Sequence, residues 1–128
     1  MSWQAYIDTS LIGSGHIDKG AIYSKAGDSV WAASSGFSVS AAEMKEIVAA
    51  LEGNTDGIYA NGLHVAGERF VVTNAQDRSI YARKGREGVV IAKTTQAIII
   101  GHYPDGAIAG NAATTVENLA DYLVKMNY

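Results

Sequence analysis

The stretch from Gly62 to Tyr103 leaves this chain little architectural freedom. Five short runs rich in β-branched and other apolar residues, "LHVAG", "RFVVT", "SIYAR", "GVVIAK" and "AIIIGHY", follow one another with loops such as "NAQD", "KGRE" and "TTQ" between them. A parallel strand pair needs a crossover of a dozen or more residues, and these connections have no room for one. Consecutive strands must therefore pair antiparallel, as a meander. The runs Val89-Val90-Ile91 and Ile98-Ile99-Ile100 do not alternate apolar with polar residues, so the sheet they enter must be covered on both faces. Helices have to supply those covers, which makes the fold class α+β.

The covering elements are legible on either side of the meander. In "SAAEMKEIVAALEG", Ser40 and Glu43 stand at capping-box spacing, Met44, Ile47, Val48 and Leu51 form an apolar stripe, and Gly53 falls where a helix stops. A last helix is expected from about Asn111 to Met126, with Val116, Leu119, Ala120 and Leu123 on its stripe and Thr114 and Glu117 at capping-box spacing. Ser2 is placed to cap a short helix with Trp3, Tyr6, Ile7 and Ser10 on one side. Between them, "AIYSK" and "SVWAASS" read as a hairpin turning at "AGD", which puts Trp31 on its second strand. With 128 residues and no linker, repeat or low-complexity tract, residues 1–128 are expected to form one domain.

Several chemistries have no support. The absence of cysteine excludes disulfides and thiolate zinc sites. His16, His64 and His102 are scattered, with no H-x-x-x-H pair, so no metal site is predicted. "GSG" at 13–15 lacks the further glycine and preceding strand of a dinucleotide fingerprint, and neither a phosphate-binding G-x-x-x-x-G-K nor a G-x-S-x-G elbow occurs. No cofactor is expected. No segment approaches a membrane span or a standard signal peptide, and an intracellular protein is the expectation.

Two features remain unspent. Trp3, Tyr6, Tyr122 and Tyr128 lie near the chain ends, where small polar residues are usual. If the terminal helices dock on one sheet face, these rings form a seam between them. The seam has three readings: an open binding surface, a purely structural interface, or the site of a small α+β enzyme with Tyr6 or Tyr122 as acid or base. The second feature is charge. Net charge is −3, yet Arg69, Arg78, Arg83, Lys84, Arg86 and Lys93 are six of ten Lys and Arg, with only Asp77 and Glu87 among them. A localised acidic partner fits that distribution, and a nucleic acid does not.

The blocks "SWQAYID", "VWAASSGF", "DRSIYARKG" and "VENLADYL", in this order along the whole chain, resemble the signature blocks of the profilin family, and most closely those of the short profilins of fungi and amoeboid protists. The resemblance implies a central antiparallel sheet with the N- and C-terminal helices on one face and smaller helices on the other. It implies an actin-binding regulator of polymerisation, cytoplasmic, at the cytoskeleton and cell cortex, with no catalytic role. On matching positions, proline-rich segments would bind Trp3, Tyr6, Trp31, Tyr122 and Tyr128. Monomeric actin would meet Thr73, Arg83, Lys84, Lys93 and Asn118. Phosphoinositide headgroups at a membrane surface would meet Arg83, Lys84, Arg86 and Lys93.

Overall fold

The computed structural model describes residues 2–128. Seven strands, β1 (Lys19–Ser24), β2 (Val30–Ala33), β3 (Leu63–Val65), β4 (Glu68–Gln76), β5 (Ser79–Lys84), β6 (Glu87–Lys93) and β7 (Ala97–Tyr103), form one antiparallel sheet in the order β2-β1-β7-β6-β5-β4-β3. The meander runs from β3 to β7, as its short connections require, and the β1–β2 hairpin extends it beside β7.

The two turns within the charged part of the meander are tighter than the sequence predicts. Asn74, Ala75 and Gln76 belong to β4 rather than to a loop, because a bulge at Thr73 restores their register with β5. The turn is only Asp77-Arg78, and Asp77 takes the left-handed conformation it needs (φ 57°). Likewise Lys84 pairs with Glu87 across Gly85-Arg86.

Helix α1 (Trp3–Ala5) runs without a break into a π-helical segment (Tyr6–Leu11) and a 3-10 turn (Ile12–Ser14). The π turn has no signal in the apolar spacing; it shows in the Ile12 N–H, which reaches the Ile7 carbonyl five residues back. Helices α2 (Ala41–Leu51) and α3 (Asp56–Asn61) lie on one sheet face, the N-terminal helix and α4 (Ala109–Lys125) on the other. Both halves of the Ser40–Glu43 capping box form. Helix α3 has too few residues for a periodic signal. Thr114 and Glu117 do not cap α4: the helix starts two residues before the expected position, Thr114 donates to the Gly110 carbonyl inside it, and Glu117 reaches β5 instead.

Strand alternation sorts the core into two layers. Ile80, Ala82, Val89, Ile91, Ile98 and Ile100 pack with Met44, Ile47 and Leu51 of α2. Val90, Ala92, Ile99 and Tyr103 pack with Ile7 and Leu11 below the N-terminal helix and with Val116, Leu119 and Leu123 of α4. Gly20 and Gly101 are partners across β1 and β7, and together they seat both terminal helices. A Cβ on Gly20 would stand 2.9 Å from Leu11, and one on Gly101 would stand 2.8 Å from Val116.

Candidate functional site: an aromatic seam and a divided basic region

The seam is assembled from three elements, each fixed locally. Ser2 caps α1 by accepting from the Ala5 N–H at 3.2 Å, and the Gln4 side chain donates to the Ala33 carbonyl of β2 at 3.2 Å. These bonds hold Trp3 over Trp31, with ring centroids 4.7 Å apart. From the other side Tyr128 meets Trp3 edge-on at 5.1 Å, while Tyr6 lies 5.6 Å from Trp3 and 6.0 Å from Tyr122. All five rings therefore join into one row with Trp3 at its hub. Tyr128 is anchored through its backbone: its N–H donates to the Leu123 carbonyl, and its own carbonyl accepts from the Thr94 hydroxyl at 2.7 Å and from the Gln96 N–H. The Gln96 side chain adds a bond to the Asn127 carbonyl at 2.6 Å.

These rings are only partly spent on the core: Trp3, Tyr6 and Trp31 pack against it from outside. Tyr122 and Tyr128 are 45% and 43% exposed, and Trp3, Tyr6 and Trp31 are half-buried. Among the described residues no buried side-chain nitrogen or oxygen lacks a partner, so the indole N–H and phenol groups that make no internal bond face solvent. Partial burial, and then the neighbouring Tyr122 hydroxyl, push the Tyr6 phenol above its ordinary pKa. That direction is opposite to what a general base needs. Flat rings with outward donors suit an extended ligand whose backbone carbonyls are exposed.

Beyond Tyr6 and Tyr122 the seam opens into a groove of about 510 Å³ between the N-terminal helix and α4, bounded also by Ser10, Ser14, Thr115, Asn118 and Leu119. Asn118 thus stands beside the aromatic row.

The basic region is divided by the sheet. Neighbouring strand residues point to opposite faces, so Arg83, paired with Val71 and Gly88, shares the α4 side with Tyr103, whereas Lys84 and Lys93 fall on the α2 side. Thr73 sits in the β4 bulge, its hydroxyl donating to the Tyr81 carbonyl at 3.2 Å. The five actin candidates therefore do not form one surface; Thr73 and Arg83 remain together. Arg83, Lys84 and Arg86 gather at the β5–β6 turn, but Lys93 stands six residues along β6, about 20 Å away at ~3.4 Å per residue. Lys93 donates instead to the Leu51 carbonyl.

Acids distant in sequence also neutralise part of this region. Lys84 bonds Glu68 at 2.7 Å, which holds the Glu68 carboxyl below its usual range and raises the Lys84 ammonium. Arg78 bonds Asp121 at 2.6 Å and Glu117 at 3.0 Å; burial works against its charge, and the two carboxylates overcome it. Glu117 also accepts from Tyr81 at 2.6 Å and Ser79 at 2.7 Å. Burial first, and Glu117 second, push the Tyr81 phenol up to about 12. Glu68, Glu87 and His102 bring three ligand-type atoms within 4.8 Å of one another. The two His102 nitrogens already face Asp18 at 2.5 Å and Glu87 at 3.1 Å, and Lys84 occupies Glu68, so this group satisfies itself without an ion.

The chain as a whole is similar to known proteins. The family model described as Profilin matches residues 1–128. The profilin of Saccharomyces cerevisiae is 52% identical over 128 residues, the whole of both chains. The crystal structure of Schizosaccharomyces pombe profilin matches with a TM-score of 0.94 at 44% identity, over 99% of this chain and all of that one. Mouse profilin IIa, solved in complex with a double repeat from the FH1 domain of mDia1, shares the fold with a TM-score of 0.82 at 19% identity over the full length of both.

Proposed function

The chain belongs to the profilin family, and from that premise we propose how its surfaces divide the work of an actin-binding, non-enzymatic regulator of polymerisation that also takes proline-rich segments. Proline-rich segments lie on Trp3, Tyr6, Trp31, Tyr122 and Tyr128. The observation that carries this reading is the row itself: five rings linked neighbour to neighbour and left partly exposed. A polyproline helix is stiff before binding, repeats every three residues and leaves its carbonyls free, so ring stacking and N–H or O–H donation gain affinity at small ordering cost.

Actin binds the outer surface of β4 and β5 on the α4 side, through Thr73 and Arg83 with the exposed Val71 next to them. Phosphoinositide headgroups meet Arg83, Lys84 and Arg86 at the β5–β6 turn, where clustered cations provide charge-assisted bonds to phosphate. The protein works in the cytoplasm at the cortical cytoskeleton, handing actin monomers to assembly factors that carry proline-rich segments.

Tryptophan fluorescence during titration with a polyproline peptide tests the seam. A saturable change is expected, and Trp3→Ala should weaken binding by about 2 kcal/mol or more, the scale of an aromatic hot spot. A folded Trp3→Ala protein with wild-type affinity would remove the row from the binding surface.

A further inference from the structure

We infer that the proline-binding surface continues past Tyr6 and Tyr122 into the groove between the N-terminal helix and α4, where Ser10 and Asn118 hold the backbone of the next residues of the same segment. This rests on the seam reading above and extends it.

The row of rings is short. Its steps from Trp31 to Trp3, Tyr6 and Tyr122 are 4.7, 5.6 and 6.0 Å. At ~3.1 Å per residue, a polyproline helix covers that length in roughly five residues. The groove shares Tyr6 and Tyr122 with the row, so it is continuous with the rings and open to a longer segment leaving them. Its lining carries no charged side chain, which favours an uncharged occupant over a phosphate or an acidic or basic peptide. Buried Leu119 offers it an apolar contact.

The polar groups differ in availability. The Ser14 hydroxyl already donates to the Leu11 carbonyl at 2.6 Å, and that of Thr115 donates to Asn111 at 2.9 Å. Ser10 and Asn118 make no side-chain hydrogen bond among the described residues, and they stand on opposite walls of the groove, one on each helix. Asn118 offers two N–H donors and Ser10 one O–H. A polyproline helix has no N–H and presents only carbonyls, so donors are what its recognition requires.

The test is calorimetric titration of wild type and of the Ser10→Ala/Asn118→Ala double variant with end-blocked hexaproline and decaproline. Both side chains lie outside the core, so the variant should melt as wild type does. We expect it to lose about fivefold to tenfold in affinity for decaproline, the scale of one or two neutral hydrogen bonds, and less than about twofold for hexaproline. Unchanged decaproline affinity would overturn the inference, as would an equal loss with both peptides, which would place the two residues in support of the rings. Binding of neither peptide by wild type would overturn the seam reading and this extension together.

Discussion

Glu117 is the residue on which most of the polar contact between α4 and the sheet converges, since Arg78, Ser79 and Tyr81 all donate to it. The Tyr81 phenol must stay protonated to do so. Its pKa rises from 10.0 to about 12 in the fold, so the stabilisation is complete below pH 10 and is lost as pH climbs toward 12. Thermal melts across that window should show a falling midpoint. Tyr81→Phe should be less stable at neutral pH by about 1 kcal/mol and should decline less steeply in the alkaline range. An identical alkaline slope in both proteins would show that Glu117 does not hold this proton. In the sequence Glu117 had no such visibility. Its partners lie 36 to 39 positions away, and spacing to Thr114 offered a local capping role that the longer helix removed. The seam was legible for the opposite reason: large rings near both chain ends need a tertiary explanation, whereas Trp31 joined them only through the family resemblance.

At the level of elements, the β6–β7 loop and the end of α4 behave as one unit. The ring of Tyr128 faces the seam, yet its carbonyl holds the hydroxyl of buried Thr94 and the Gln96 N–H. A residue after the last helical turn is expected to support little core, and the structure corrects that: the backbone of Tyr128 fastens α4 to the sheet while its side chain is free for ligand. The two roles separate experimentally. Tyr128→Ala should weaken polyproline binding with a melting temperature close to wild type, whereas deletion of Tyr128 should lower both. Equal melting temperatures for the two variants would mean the carbonyl contacts carry no stability. Strand number, order along the meander and the two-sided cover followed from run length and alternation, because those obey short-range sterics. The β4 bulge, the π turn and α3 did not, because each is set by what the backbone packs against and leaves no periodic trace.

Across the whole molecule, the two proposed surfaces share the α4 side of the sheet, and the strand order sets them apart along it. Trp31 is on β2 and Arg83 on β5, four strand spacings away, about 19 Å at ~4.8 Å each. Arg83→Glu should therefore weaken actin binding by about 2 kcal/mol or more where the charge is desolvated, and leave polyproline affinity unchanged. It should also reduce phosphoinositide binding, in a manner that fades with added salt. Paired titrations of one preparation with monomeric actin and with polyproline decide it: unchanged actin affinity removes Arg83 from the interface, and parallel loss of both ligands marks a folding defect. Two proposed surfaces set apart on one face of the sheet also set a dose rule for the cell. A connector whose ends bind without consulting each other joins the most pairs at intermediate abundance; in excess, separate copies occupy each partner alone, so overproduction should starve filament growth as surely as deletion does.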